Sequence, residues 1–286
     1  MSAVIIDGKQ ISASFKEKMR ERIVELEAKY GRKPCLAVII VGEDPASQSY
    51  VRGKIKAAAF VGMDSRLIEL PATISEEELL GHIADLNADG GVDGILVQLP
   101  LPRHINSDKV IEAIVPMKDV DGFHPMNVAN LWLGLESMVP CTPKGIMKLL
   151  ETTGINPDGK IAVIVGRSNI VGKPVAKLLL DANATVIIAH THTADLKKIT
   201  LQADILVVAA GKIGLLKGDM VKPGAVVIDV GIGRNSEGKL AGDVDFQSVS
   251  QSAGYLTPVP GGVGPMTITM LMENTIECFI NRMNAV

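Results

Sequence analysis

The chain has 286 residues, 47% hydrophobic and 21% charged, which suits one large or two smaller soluble domains with a buried core. Aromatics make up only 3%, so the core is expected to be aliphatic, and a net charge of −3 without a basic run gives nucleic-acid binding no electrostatic support. No apolar stretch approaches a membrane helix, the start MSAVIIDGKQ lacks signal-peptide features, and Cys35, Cys141 and Cys278 are too dispersed for a disulfide framework or CxxC site; they read as buried thiols of a cytoplasmic protein.

In chain order, the first strong element is CLAVIIVG (35–42), a β-branched run without alternation, which predicts a strand buried on both faces. Asp44 and Pro45 follow as an N-cap and a proline at the first helical position, with Gly62 as the stop. On that helix Tyr50 and Lys54 are four apart and share a face. Arg52 and Lys56 point elsewhere but raise the local positive potential, which eases loss of a proton from a partly buried Lys54. A solvated surface lysine is the ordinary alternative. Gly53 inside the helix costs about 1 kcal/mol against alanine, which implies close approach of another group.

SRLIEL (65–70) and GILVQLP (94–100) read as further strands, with a Ser75–Glu78 capping box opening a helix between them. Gln98 ends the second, where a parallel sheet presents ligand-facing residues, and its amide can both donate and accept. KDVDGFHP sets Asp119 and Asp121 two apart before a glycine, without calcium-loop spacing. Either the pair caps a turn, or one aspartate faces the N–H donors of a ligand. The irregularly punctuated stretch 115–141 reads as the connection between two α/β units.

Thr142-Pro143 repeats the cap-plus-proline device, ending at Gly154. IAVIVG (161–166), ATVIIAH (184–190), ADILVVAAG (203–211) and GAVVIDVGI (224–232) then read as a second set of buried parallel strands, making the chain α/β. Between the first of these and a helix opened by Pro174 lies GRSNIVGKP. Five residues rather than four separate Gly166 from Gly172, and Pro174 stands where a P-loop needs its magnesium-binding hydroxyl, which argues against nucleoside triphosphate hydrolysis. Ser168 occupies the second glycine of GxGxxG; strand, tight loop and helix start suit an anion, and plain strand–helix punctuation is the equal alternative.

After the next strand come His190, Thr191, His192 and Thr193, with no carboxylate before Asp195. With Arg167 in the preceding loop, that pattern favours a 2′-phosphate, hence NADP over NAD, unless Arg167 is simply a solvated loop residue. TPVPGGVGPMT (257–267) is either a stiff connector or a backbone wall against a flat ligand. A last helix is expected after Pro265, with Ile268, Leu271, Met272, Ile276 and Phe279 on one face, packing back on the first unit. No metal site is expected.

These segments together resemble the bifunctional methylenetetrahydrofolate dehydrogenase/cyclohydrolase family: VGEDPASQSYVRGK, GILVQLPLP, KDVDGFHPMN, CTPKGIMKLL, VGRSNIVGKPVA, KPGAVVIDVGI, GDVDF and TPVPGGVGPMT run nearly end to end. The resemblance implies a folate-binding catalytic domain over 1–122 and 267–286, a Rossmann-like NADP-binding domain over 140–260, and a folate cleft between them. It implies NADP-linked oxidation of methylenetetrahydrofolate to the methenyl cation, then hydrolysis to formyltetrahydrofolate, serving one-carbon metabolism and through it purine and amino-acid biosynthesis.

By matching motif, it makes Lys54 the general acid/base and Gln98 its positioning partner. Tyr50 stacks on the folate and Asp121 accepts hydrogen bonds from the pterin. Pro260, Gly261 and Gly262 line the folate cleft, while Gly166, Arg167, Ser168, Thr191 and Ile232 hold NADP. A cytoplasmic homodimer through the nucleotide-binding units is also implied.

Two departures stand out. Ala189-His190-Thr191-His192-Thr193 replaces the family's Cys-His-Ser, basic residue and Thr, and Ala129 fills the glycine place of NVGxL. The alternatives, a dehydrogenase without cyclohydrolase activity or a non-catalytic nucleotide-binding protein, both predict a broken lysine-helix motif, and here it is intact.

Overall fold

In the computed structural model, which describes residues 2–284, the chain begins with β1 (Val4–Ile5), α1 (Gly8–Tyr30), β2 (Cys35–Val41), α2 (Pro45–Val61) and β3 (Asp64–Leu70). Then come α3 (Glu76–Ala88), β4 (Gly94–Val97), α4 (Ser107–Ala113), α5 (Pro125–Leu133), α6 (Cys141–Glu151), β5 (Ile161–Val165) and α7 (Gly172–Asp181). The rest comprises β6 (Thr185–Ala189), α8 (Leu196–Thr200), β7 (Ile205–Val208), β8 (Val226–Asp229), β9 (Gly233–Arg234), β10 (Leu240–Ala241), α9 (Phe246–Val249), β11 (Tyr255–Leu256) and α10 (Val263–Asn284). The chain divides into two units, one of residues 13–141 with those from Ile268 onward, the other of the segment up to Ser12 with Thr142–Thr267.

The first unit holds a parallel sheet of order β3-β2-β4. β2 is buried at all seven positions, as its unbroken aliphatic run demands. Asp44 caps α2 by accepting from the Ser47 amide, Gly62 ends it in the left-handed region, and Ser75 and Glu78 form the expected capping box on α3. Leu79 and Ile83 of α3 pack with Ala37, Ile39, Ile95 and Val110 in the core. Beneath it, Asp93 is fully buried between Arg32 (2.7 Å) and Arg282 (2.7 Å) and also accepts from the Cys35 amide at 2.9 Å. Buried Lys118 donates to the carbonyls of Leu86, Asn87 and Asp89, the orphan acceptors at the end of α3.

The second unit holds six parallel strands in the order β1-β11-β8-β7-β5-β6. From β5 the chain steps out to β6 and then returns past β5 to β7. That reversal places the switch point, where α/β sheets take ligands, beyond the carboxyl ends of β5 and β7. Val163, Val165, Leu206, Val208, Val227 and Leu256 fill the core on one face.

Several expectations need correction. The first unit was expected to begin at residue 1, but Val4 and Ile5 pair with Tyr255 and Leu256, so the start of the chain belongs to the six-stranded sheet. Residues 115–141 are part of the three-stranded unit and contain α5, capped by His124 Nδ1 and ended by Gly134. α6 starts at Cys141, so Thr142 lies inside its first turn instead of capping it, and bonds Thr267 Oγ1 at 3.0 Å. α7 and α10 likewise begin two residues before Pro174 and Pro265, each proline falling in a first turn that needs no N–H. From Ile268 onward α10 packs in the three-stranded unit, with Leu271, Met272, Ile276 and Phe279 buried. No helix among the described residues is long and apolar enough to cross a membrane.

Candidate active site and nucleotide loop

α2 carries Tyr50 and Lys54 one turn apart, and Lys54 is buried at 7% exposure. Its Nζ lies 5.7 Å from the centre of the Tyr50 ring and donates to Gln98 Oε1 at 2.9 Å. Gln98 follows β4, and its Nε2 donates to the Leu99 carbonyl at 2.6 Å, which fixes which end of the amide faces the lysine. Burial pushes the Lys54 ammonium below the ordinary lysine range, opposed by the negative charge of Asp121. Arg52 and Lys56 are exposed, so loss of water, not those neighbours, is what favours a neutral Lys54. Burial also raises the Tyr50 phenol.

The two aspartates of KDVDGFHP have separate tasks. Asp119 is the turn former: it accepts from the Gly122 amide (3.1 Å), the His124 amide (2.8 Å) and Asn127 Nδ2 (2.8 Å). Asp121 takes no part in that turn and is half-buried, with Cys141 Sγ 4.0 Å from its Oδ1. Burial raises its carboxyl to about 6; Lys54 opposes the shift and Asp119 adds to it. Its loop is gripped from both sides. Gly122 adopts φ 70° with Met138–Pro140 packed where a Cβ would stand, and Asn274 Nδ2 on α10 donates to Val120 O (2.8 Å) and Val139 O (2.9 Å). Gly53 faces Ile268 Cδ1, 3.3 Å from where its Cβ would be, so its close neighbour is this unit's own α10. Lys54, Gln98, Tyr50 and Asp121 are therefore brought together in one unit; Cys141 reads from the sequence only as a buried thiol, and nothing local marks Asn274.

In the six-stranded unit, Gly166 adopts φ 128° and a Cβ there would overlap Ala209 O, while one on Gly172 would overlap Gly166 O. Both glycines are thus required by backbone crowding in the turn between β5 and α7. Ser168 Oγ accepts from the Val171 (3.2 Å) and Gly172 (3.3 Å) amides, doing the work of an N-cap. Arg167 is exposed and makes no hydrogen bond or ion pair with any described residue. The Gly166 amide donates to Ala189 O at 2.9 Å, so this turn adjoins the loop after β6.

There Thr191 is exposed, and the Thr193 hydroxyl accepts from the His190 amide at 2.8 Å. Asp195, the first carboxylate after β6, caps α8 by accepting from the Lys198 amide at 3.0 Å. The donor set around the turn is cationic or hydroxylic, which fits a 2′-phosphate better than a bare ribose. Ile232, beyond β8, is 59% exposed. The Pro260-Gly261-Gly262 turn packs on the start of α1, where the Lys9 amide donates to Gly261 O at 3.1 Å and a Cβ on Gly8 would overlap Gly262 O. That packing stiffens the turn.

A Rossmann-like unit with an anion-ready turn, together with a second α/β unit holding a desolvated lysine–amide pair, defines a nucleotide-linked enzyme with its own acid/base group. Comparison sharpens this. Residues 140–283 match the tetrahydrofolate dehydrogenase/cyclohydrolase NAD(P)-binding domain, and residues 6–121 match the catalytic domain of the same family. Bifunctional protein FolD of Listeria innocua is 57% identical over 273 residues, covering 96% of each chain. The crystal structure of a bifunctional FolD methylenetetrahydrofolate dehydrogenase/cyclohydrolase from Campylobacter jejuni superposes with a TM-score of 0.96 at 54% identity, covering 98% of this chain and 100% of that one. A Trypanosoma brucei homologue, solved with NADP cofactor and inhibitor, gives 0.95 at 41% identity with 99% of both chains covered. The chain belongs to the tetrahydrofolate dehydrogenase/cyclohydrolase family.

Proposed function

We propose that this protein oxidises methylenetetrahydrofolate to the methenyl cation with NADP and then hydrolyses that cation to formyltetrahydrofolate. The observation that carries the reading is the buried Lys54 held by Gln98 at 2.9 Å, inside a chain that belongs to a dehydrogenase/cyclohydrolase family. NADP, when bound, supplies the hydride acceptor. Gly166, Arg167 and Ser168 with Thr191 and Ile232 would hold it, Arg167 serving the 2′-phosphate.

In the hydrolytic step, water adds to the methenyl carbon and gives up a proton to neutral Lys54 Nζ. The ammonium returns a proton to the leaving ring nitrogen as its bond to carbon breaks, and the hydroxyl proton passes to solvent as the formyl C=O forms, so each turnover releases one proton. Tyr50 lies along the folate ring system, Asp121 accepts from pterin N–H groups, and Gln98 keeps Nζ aimed. Pro260, Gly261 and Gly262 present backbone to the folate. One-carbon units made this way feed purine and amino-acid synthesis in the cytoplasm.

The working form is a homodimer. β6 ends the six-stranded sheet with one edge unpaired and Ile188 exposed upon it, a strand a second copy can pair with.

The deciding assay adds methylenetetrahydrofolate and follows NADPH and methenyltetrahydrofolate by absorbance, in parallel with NADP and NAD. A signal with NADP that decays in its methenyl component supports both steps. No NADP-dependent signal ends the dehydrogenase reading, and a methenyl signal that never decays beyond the uncatalysed rate ends the cyclohydrolase reading.

A further inference from the structure

Two buried carboxylates beyond the carboxyl edge of the six-stranded sheet are left over by this chemistry. Asp229, the last residue of β8, is 4% exposed, and Asp243 is 1% exposed; neither is ion-paired with a described residue. Their partners are backbone amides. Asp229 Oδ1 accepts from Gly231 and Asp243, each at 3.0 Å, and its Oδ2 accepts from Val244 at 3.0 Å. Asp243 Oδ2 accepts from Ala210 at 2.6 Å and Gly211 at 2.8 Å. Five N–H groups from three chain segments thus converge on two carboxyl groups.

The sequence is built around the pair. A Cβ on Gly231 would overlap the Asp243 carboxyl, and one on Gly242 would overlap Asp229 Oδ2, so the glycines of DVGIG and AGDVD are demanded by these side chains. Burying two carboxyl groups side by side is costly: burial, with Asp243 adding, raises Asp229 to about 7 even against three amide donors. Apolar packing would fill the space more favourably. What the carboxylates fix that apolar groups cannot is the backbone of 209–211 and 230–232, just past β7 and β8, on the side where a parallel sheet holds its ligand. A cavity of about 320 Å³ adjoins Asp229 itself, lined also by Ile213, Gly214, Gly242 and Phe246.

We infer that Asp243, held in place by Asp229, is a positioning residue for the nicotinamide end of the cofactor: through Ala210 and Gly211 it sets the loop against which that end rests. The inference depends on the NADP reading. It divides the cofactor site in two, with Arg167 and Thr191 serving the adenosine 2′-phosphate and the two carboxylates serving the redox end.

The test compares adenosine 2′,5′-bisphosphate, which lacks the nicotinamide, with intact NADP by calorimetry. In Asp243→Asn, binding of the bisphosphate should stay within about twofold of wild type, while NADP weakens about tenfold, the worth of a lost charge-assisted hydrogen bond. Equal loss of both probes, or loss of neither, overturns the assignment. Should that variant fail to fold, the unmodified protein decides by amide hydrogen exchange. NADP should slow exchange across 209–211 and 230–232 and the bisphosphate should not; equal slowing by both, or none by either, overturns it. A wild-type protein that binds neither probe refutes the NADP reading itself, an outcome distinct from these.

Discussion

Lys54 Nζ and Gln98 Oε1 are 2.9 Å apart, and the other end of the Gln98 amide is tied to the Leu99 carbonyl. Turning the amide round would set its NH₂ against the lysine and a carbonyl against a carbonyl, so the acceptor end must face Nζ. A neutral amine then spends one N–H on Gln98 and keeps its lone pair directed elsewhere, which is what a proton acceptor requires. Lys54→Met keeps the packed stem and removes the base. Methenyl hydrolysis should fall by about 10²–10⁴-fold while NADP reduction persists at an appreciable rate. Parallel loss of both activities would refute a separate acid/base role.

Gln98→Glu tests the same pair from the other side. Burial lowers the Lys54 ammonium, and a carboxylate at Gln98's distance would oppose that shift. The acid limb of the cyclohydrolase pH profile should move up by about one unit or more, with the hydride step keeping its own profile. An unmoved limb would show that Gln98 does not govern the protonation of Lys54.

Asp121 gives a pH signature in which two observables diverge. Its carboxyl, raised to about 6 chiefly by burial, is an ionised acceptor only above that value. Methylenetetrahydrofolate KM should therefore climb by up to about tenfold per unit as pH falls below about 6, and Asp121→Asn should flatten that limb. The stability linkage has the opposite sign. The folded protein holds this proton more tightly than the unfolded chain, so the cost of ionising Asp121 is complete above about 6 and is relieved as pH falls toward the ordinary carboxylate range. Between pH 7 and 5 this group weakens substrate binding without unfolding the protein. A KM that stays flat through that window removes Asp121 from the pterin contact.

Elements whose signals are local were legible in the sequence. The Asp44 cap, the Ser75–Glu78 box and the unbroken aliphatic runs of β2, β5 and β7 each depend on neighbours within a few residues. The grouping of Tyr50 with Lys54 follows from helical spacing, and Gln98 from its place at a strand end. What escaped depends on distant partners. β1 is a two-residue strand whose only sheet partner lies some 250 residues on. α1 is amphipathic through Met19, Ile23 and Leu26, yet its polar content hides them. Asp119 and Asp121 could not be told apart because the Asn127 and His124 donors that claim Asp119 arrive with α5. Asp229 and Asp243 sat in view in IDVG and GDVD, but their pairing across fourteen residues of hairpin exists only in the fold.

The exposed edge of β6 makes the assembly testable. Ile188 is on the edge strand, and Leu180 of the preceding helix is exposed as well. A lysine at the edge discourages strand pairing. Ile188→Lys should convert a dimer to monomer in sedimentation velocity while the far-UV spectrum is unchanged. A wild-type monomer, or a variant that stays dimeric, refutes pairing along this edge.

Arg167 is the residue on which cofactor choice turns. It is exposed, unpaired with described residues, and beside a loop whose first carboxylate, Asp195, is occupied in capping α8. No carboxylate stands at the end of β6, where an NAD site carries one, and the exposed guanidinium can take a phosphate in a two-pronged contact. Arg167→Ala should weaken NADP by about tenfold or more and NAD by no more than about twofold, since NAD has no 2′-phosphate to lose. Arg167→Lys should recover only part of the difference, because an ammonium keeps the charge but not the planar fork. Calorimetric titration of each variant with both dinucleotides measures this directly, and an equal loss for NAD and NADP would move the 2′-phosphate contact away from this turn.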